Sequence, residues 1–137
     1  MDTLTPTLCN QMFVMTQITL YHNPRCSKSR ATLALLNDYQ AKHGGELQVV
    51  EYLKTPLTPE QLAELVAQLN LSAHQLMRSN ESAYSEMQLS PDHSTEQLLQ
   101  AMAEAPILME RPVVVCQGKA AIGRPPEQVL SILPNGK

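Results

Sequence analysis

The chain has 137 residues, of which 43% are hydrophobic and 17% are charged, as in an ordinary globular protein of one domain. Ten Lys and Arg residues against thirteen Asp and Glu residues give a net charge of −3. This charge argues against a general nucleic-acid or membrane-surface binder, because both need a basic surplus, and no apolar run approaches the roughly 18 residues of a membrane span. We therefore expect neither nucleic acid nor a membrane as a partner.

The three cysteines, Cys9, Cys26 and Cys116, have neither the number nor the spacing of a disulfide framework. The sequence also lacks a C-x-x-C motif, an H-E-x-x-H motif and any Cys/His cluster with the spacing of a structural zinc site. We therefore expect free thiols, no bound metal and a reducing cytoplasmic compartment.

Residues 1–14 fit poorly with the remainder of the chain. They lack the basic start, the apolar stretch and the small-residue cleavage site of a signal peptide. Met15 opens a segment that is typical of a natural N-terminus. We predict that residues 1–14 are a disordered or non-native extension and that residues 15–137 form a single domain.

The first half of the domain alternates between strand and helix patterns. Residues 17–21 predict a strand, and residues 27–39 predict a helix with Leu33 and Leu36 on its buried stripe. Two glycines then end the helix, and residues 47–53 predict a second strand.

The middle of the chain carries repeated helix-start signals. Capping boxes begin at Thr58, Ser72 and Ser94, each with a Gln three residues later. Each box predicts a helix, and the second helix is expected to be short and to end near residues 77–80. We interpret these helices as an insertion, over about residues 58–104, between the two halves of the fold.

The last part of the chain returns to strands. Residues 113–116 are an apolar, β-branched run, residues 117–119 a tight turn and residues 120–122 a returning strand. Pro125 and Pro126 then open a final helix. The order β-α-β, helices, β-β-α by itself predicts the α/β class. It also matches the layout of a thioredoxin-like fold with a helical insertion between its halves.

Cys26 stands directly after the first predicted strand and at the start of the first predicted helix. Unpaired backbone N–H groups and the helix dipole favour an anion at this place, and both lower the pKa of a thiol. Arg25, Lys28, Arg30 and His22 can add positive charge nearby. Because the thiolate is the reactive form, we predict that Cys26 is a nucleophile and that the same donors can hold an oxyanion.

Two related arrangements are excluded by single positions. A C-x5-R phosphatase loop needs Arg where Thr32 stands, and a dithiol motif needs Cys where Ser29 stands. Cys26 therefore has no neighbouring thiol to resolve it, and an external thiol has to do so. The alternative for Cys26 is a buried, inert thiol, which is the interpretation that we keep for Cys116.

Four sequence blocks resemble, in order and at matching spacing, the glutaredoxin-coupled arsenate reductases. They span residues 18–30, 76–80, 106–115 and 123–130. The resemblance extends over about residues 18–133, and the sequences RCSKSR and GRPPE are most similar to those of the short bacterial members. It implies a thioredoxin-like fold and an enzyme of the oxidoreductase class.

The resemblance also implies roles for individual residues. Cys26 is similar to the family's nucleophile, His22 to the histidine that lowers the pKa of that cysteine, and Ser29 to a serine near the thiolate. Three arginines match the oxyanion-binding set: Arg78, Arg111 and Arg124. The auxiliary positions are Asn23, Arg30 and Pro112, the last where thioredoxin-like folds have a cis-proline.

The implied activity is glutathione- and glutaredoxin-dependent reduction of arsenate to arsenite. The Cys26 thiolate attacks arsenate, glutathione adds to the adduct, and glutaredoxin returns reducing power. Arginine side chains suit the oxygens of a tetrahedral dianion, and their charge offsets the repulsion between the dianion and a thiolate. No tightly bound cofactor is implied, and we expect a cytoplasmic monomer that acts on arsenate or a similar small oxyanion.

Two other functions stay open at this stage. One is a non-enzymatic redox adaptor or regulator with the same fold, since a related branch contains transcriptional regulators that bind RNA polymerase. Those regulators usually have C-x-x-C where this chain has C-x-x-S. The other is a monothiol oxidoreductase that acts on glutathionylated proteins, although the arginine set favours an oxyanion over a peptide substrate.

Overall fold

The computed structural model describes residues 16–134, so the expectation for residues 1–14 and the thiol of Cys9 lie outside the described residues. Within them the strands are β1 (Gln17–His22), β2 (Glu46–Glu51), β3 (Val113–Cys116) and β4 (Lys119–Ile122). The α-helices are α1 (Ser27–His43), α2 (Pro59–Leu69), α3 (Ser82–Glu86) and α4 (Thr95–Glu104). Short 3-10 helices cover His74–Leu76, Pro106–Leu108 and Pro126–Ile132.

The strands of the described chain form one sheet in the order β2-β1-β3-β4. β1 and β2 run parallel, whereas β3 pairs antiparallel with both β1 and β4. The register places His22 beside Glu51 and Tyr21 beside Val113. The carboxyl ends of β1 and β2 and the amino end of β3 therefore meet at one edge of the sheet. We refer to it as the Cys26 edge, because the loop after β1 leads to Cys26.

Two hydrophobic clusters lie on opposite faces of this sheet. Successive residues of β3 alternate between them, since Val113 belongs to one cluster and Val114 and Cys116 belong to the other. The helices that lie between β2 and β3 cover the first face, and α1 with the last 3-10 helix covers the second. This arrangement confirms the predicted α/β class.

Helix α1 is longer than predicted, and its buried stripe extends beyond the predicted leucines. It continues to His43 instead of ending at residue 39, and Gly44 ends it with a φ of 77°. Leu33 is only partly buried, and the buried side of the helix consists of Ser29, Thr32, Leu36 and Tyr39. Thr32 tolerates burial because its hydroxyl donates a hydrogen bond to the Lys28 carbonyl within the helix, at 2.9 Å. Leu36 is therefore buried as predicted and Leu33 packs against the second cluster, but leucine spacing alone does not predict the buried polar residues of this face.

The capping box at Ser72 forms but does not start an α-helix. The Ser72 N–H donates to Gln75 Oε1 at 2.8 Å, and the Gln75 N–H donates to Ser72 Oγ at 3.2 Å. The helical piece nevertheless ends at Leu76 after a single 3-10 turn, because Met77 is extended and pairs with Met109 in an isolated β-bridge. The predicted short helix is therefore present, but it is a 3-10 helix and ends at Leu76, one residue before the predicted residues 77–80.

The remaining helices bear out most of the helix-start signals. The capping boxes at Thr58 and Ser94 start α2 and α4 as predicted. The final helix opens at Pro126, but it is a 3-10 helix. Across residues 16–134, no helix combines the length and the apolar character that crossing a membrane requires.

Candidate active site

Cys26 is the N-cap residue of α1, at the end of the loop that follows β1. Its N–H donates to the Asn23 carbonyl at 2.9 Å, which closes the turn, and its thiol is free and partly exposed. The N–H groups of Lys28 and Ser29, in the first turn of α1, act on the sulfur. The predicted position of Cys26 at a strand-to-helix turn is therefore confirmed.

Opposing effects act on the thiol of Cys26. Partial burial raises its pKa, but hydrogen bonds from the Ser29 and Lys28 N–H groups and the nearby Arg111 guanidinium outweigh burial and hold the pKa below its ordinary value. The thiolate is therefore more populated at neutral pH than in a free cysteine.

A buried hydrogen-bond network joins the start of the Cys26 loop to helix α1. His22 Nδ1 and Ser29 Oγ lie 2.7 Å apart, and the Asn23 N–H donates to the same Ser29 oxygen at 3.0 Å. Burial is the largest effect on His22 and lowers its pKa, so the imidazole is neutral at pH 7. The hydrogen-bond partner of His22 is thus Ser29, and an influence of His22 on the thiol stays a prediction.

Three arginines and two glutamates form a connected ion-pair cluster at the same edge. Arg78 Nε lies 3.1 Å from a Glu81 oxygen, and Arg78 Nη1 lies 3.8 Å from Glu110. Arg111 Nη1 lies 3.8 Å from the same Glu81 oxygen, and Arg124 Nε lies 3.6 Å from Glu110. The three predicted oxyanion-binding arginines therefore lie together, with more positive than negative charge among them.

Backbone pairing brings Arg78 to this cluster from the helical insertion. The bridge between Met77 and Met109 is antiparallel, and the Arg78 N–H donates to the Leu108 carbonyl at 2.6 Å. This pairing places Arg78 next to Glu110, which lies three residues before the start of β3.

Backbone contacts also fix Arg124. Its Nε donates to the Arg111 carbonyl at 2.9 Å, and the preceding Gly123 N–H donates to the Pro112 carbonyl at 2.9 Å. A Cβ at Gly123 would lie 2.8 Å from the Pro112 ring, so only glycine permits this approach. The Arg111-Pro112 peptide is cis, as the resemblance implied, and so is Arg124-Pro125.

The other basic residues of the loop are exposed. The Arg30 guanidinium donates to the Pro24 carbonyl at 2.9 Å and therefore supports the loop backbone. Arg25 and Lys28 are exposed, and the Arg25 N–H donates to the Asn23 side chain at 3.0 Å.

The other described cysteine, Cys116, is a core residue. It is 1% exposed in the second hydrophobic cluster, and burial raises the pKa of its thiol. This confirms that Cys116 packs. In the described part of the chain, no group of three His, Cys, Asp or Glu side chains could hold a metal ion.

Sequence reasoning missed three residues of the site. Glu81 and Glu110 hold the arginines, and Tyr52 lies fully buried beside them. Weak signals existed for each of them. Glu81 stands three residues after Arg78, Glu110 directly precedes Arg111, and Tyr52 follows a parallel strand, where functional side chains often gather.

The sequence model of the ArsC family matches residues 21–132. The chain is 52% identical to the uncharacterised protein YfgD of Escherichia coli (strain K12) over 119 residues, which is 85% of this chain and 97% of the relative. It is 43% identical to the arsenate reductase of Neisseria meningitidis over 121 residues, which is 87% of this chain and all of that protein, 100%.

A solved structure gives the same result for the fold. The arsenate reductase from Vibrio cholerae superposes with a TM-score of 0.80 and 47% identity, and the match covers 87% of this chain and 99% of that chain. The predicted thioredoxin-like fold is thereby confirmed. The family model and these identities over most of the sequence establish that the chain belongs to the ArsC family.

Proposed function

We propose that the chain is an arsenate reductase that forms an adduct between arsenate and Cys26. The observation that carries the proposal is a thiol of lowered pKa beside Arg111, within a cluster of three arginines. An activated thiolate and a set of guanidinium donors are what nucleophilic attack on a tetrahedral oxyanion requires. Relatives that share 43% and 47% identity with the chain are named arsenate reductases.

Different residues carry out the nucleophilic attack and neutralise the charge of the oxyanion. The Cys26 thiolate attacks the arsenic atom, and an oxygen leaves as water or hydroxide. Arg78, Arg111 and Arg124 hold the oxyanion and offset the repulsion between two anions. Ser29 and His22 fix the loop that presents the sulfur.

Reduction needs two electrons, and residues 16–134 hold no second accessible thiol to supply them. The other described thiol, Cys116, is buried in the core, so external thiols complete the reaction. Glutathione displaces a second oxygen of the adduct as water, and a glutaredoxin thiolate then takes the glutathione sulfur as a mixed disulfide, leaving two electrons on arsenic. Hydrolysis of the remaining S–As bond releases arsenite and regenerates the thiol. Glutathione is available in the cytoplasm, where we place the protein.

A coupled assay with arsenate, glutathione, glutaredoxin, glutathione reductase and NADPH tests the proposal. We expect arsenate-dependent NADPH oxidation that Cys26→Ser abolishes. Cys116→Ala, which removes a buried thiol outside the site, is expected to retain turnover and serves as the control. Absence of arsenate-dependent turnover in the wild type would reject the proposal, and turnover on a glutathionylated protein instead would favour a monothiol oxidoreductase.

A further inference from the structure

Tyr52 lies at the Cys26 edge of the sheet, directly after β2. The parallel register pairs His22 with Glu51, so Tyr52 and Asn23 leave their strands side by side, and Asn23 leads into the Cys26 turn. The Tyr52 side chain is fully buried, with 0% of its surface exposed, and its ring belongs to the first hydrophobic cluster. Core packing explains the ring, but it does not explain the hydroxyl.

The Tyr52 hydroxyl is buried and has no hydrogen-bond partner among residues 16–134. Buried tyrosine hydroxyls usually have a partner, so this exception requires an explanation. The Asn23 side chain lies beside the hydroxyl and favours its ionised form, but the two groups do not meet the geometry of a hydrogen bond. The hydroxyl is therefore free to bind something that enters the site.

Two arginines beside Tyr52, Arg78 and Arg111, also have buried side-chain nitrogens without a hydrogen bond. Within residues 16–134, the buried side-chain nitrogen and oxygen atoms that lack a hydrogen bond are Tyr52 Oη, Arg78 Nε, Arg111 Nε and Arg111 Nη1. Of these, Arg78 Nε and Arg111 Nη1 face Glu81 as ion pairs, whereas Tyr52 Oη and Arg111 Nε face neither a hydrogen-bond partner nor a carboxylate in the described chain. These residues surround one place, since Arg111 acts on both Cys26 and Tyr52, and Arg78 also acts on Tyr52. Each of the four groups is able to donate a hydrogen bond. Such a set of donors suits a ligand whose surface consists of acceptors, such as a tetrahedral oxyanion.

We propose that Tyr52 is a substrate-binding residue whose hydroxyl donates a hydrogen bond to an oxygen of the arsenate held beside Cys26. The identity of the anion rests on the proposed function, whereas the presence of an oxyanion site rests on the Tyr52 hydroxyl and Arg111 Nε, which lack partners, beside the other guanidinium donors. Burial, opposed by the nearby arginines, raises the pKa of Tyr52 to about 12, so the hydroxyl keeps its proton at neutral pH. Tyr52 thus adds a neutral donor to the charged ones.

Tyr52→Phe removes the hydroxyl and keeps the buried ring, so it isolates the proposed contact. Arsenate binding is measured by calorimetric titration without thiol reductants, on wild type and variant, at a temperature where both are folded. We expect arsenate to bind the variant about tenfold more weakly, which is typical for the loss of one hydrogen bond to a charged ligand. The melting temperature of the ligand-free variant should be at least that of the wild type, because the lost hydroxyl had no partner.

Tyr39→Phe is the matched control. Tyr39 is also buried, but its hydroxyl donates to the Pro134 carbonyl away from the site. We expect this variant to melt at a lower temperature and to bind arsenate like the wild type. Equal arsenate affinity in Tyr52→Phe and wild type would overturn the inference, whatever the turnover. Absence of turnover in a wild type that binds arsenate would reject only the proposed function.

Discussion

Two kinds of group lower the pKa of Cys26, and they come from distant parts of the chain. The Lys28 and Ser29 N–H groups belong to the same helix start as Cys26, whereas Arg111 lies two residues before β3. The first contribution follows from the local sequence, because a cysteine between a strand and a helix meets unpaired N–H groups. The second depends on antiparallel pairing between β1 and β3, which local sequence does not reveal.

The contribution of Arg111 can be measured on the thiol directly. Arg111→Gln removes the charge beside the sulfur, so we expect it to raise the pKa of Cys26. The measurement is the rate of iodoacetamide alkylation against pH, with a wild-type midpoint below the ~8.5 of a free cysteine. Lys28→Gln is the control, since Lys28 acts through its backbone N–H, which the substitution keeps. An ordinary wild-type midpoint, or one that Arg111→Gln leaves in place, would contradict this account.

His22 makes stability depend on pH in a defined direction. Its pKa is lowered, by burial first and by the Arg30 charge as well, although Glu51 opposes both. Below its unfolded value of about 6.5, the unfolded chain binds a proton that folded His22 resists, so the free energy of unfolding falls as the pH falls.

Urea unfolding at about pH 7.5 and about pH 5.5 tests this linkage. The wild type should lose stability toward acid by up to about 1.4 kcal/mol per pH unit from this proton, and His22→Gln should lose less. His43→Gln, at the exposed end of α1, should behave like the wild type. Equal losses in wild type and His22→Gln would show that the buried histidine does not carry the effect.

At the scale of elements, the arginine cluster depends on the contact between the helical insertion and the sheet. Arg78 enters through the bridge between Met77 and Met109, and Glu81 follows just before α3. Glu81 contacts both Arg78 and Arg111, so it links the insertion to the segment before β3. Its carboxylate also faces donors that an oxyanion would use, and the two negative groups repel each other.

Glu81→Gln is therefore expected to strengthen arsenate binding. The substitution removes a negative charge 3.1 Å from Arg78 Nε and keeps an oxygen acceptor for the guanidiniums. We expect roughly fivefold tighter binding, or about 1 kcal/mol, by calorimetric titration. Glu86→Gln makes the same change of net charge at an exposed position of α3 and should leave the affinity unchanged. Weaker binding in Glu81→Gln would mean that Glu81 acts mainly by holding the arginines in place.

Across the whole molecule, sequence patterns predicted the features that depend on residues close together in the chain. The α/β order, two of the three capping-box helices and the position of Cys26 all follow from neighbours in the chain. The 3-10 form of the helix after Ser72 and the partners of Arg78 depend on a bridge to Met109, more than thirty residues away. The Tyr52 hydroxyl likewise becomes buried without a partner only where β1, β2 and the insertion meet, so the sequence pattern does not predict this property.

Because segments far apart in the chain form the site, we predict that oxyanion binding stabilises the entire domain. Cys26→Ser blocks the chemical step and leaves the arginines in place, so arsenate at a hundred times its Kd should stabilise this variant by about 2.7 kcal/mol, a rise in Tm of roughly 9 °C. Hydrogen exchange should slow together in residues 22–30, 78–81 and 110–124, because the anion contacts side chains from all three segments. Sodium chloride at equal ionic strength should produce neither change. Slower exchange confined to residues 22–30 would contradict a site shared by the three segments and would leave the anion bound by the helix start alone.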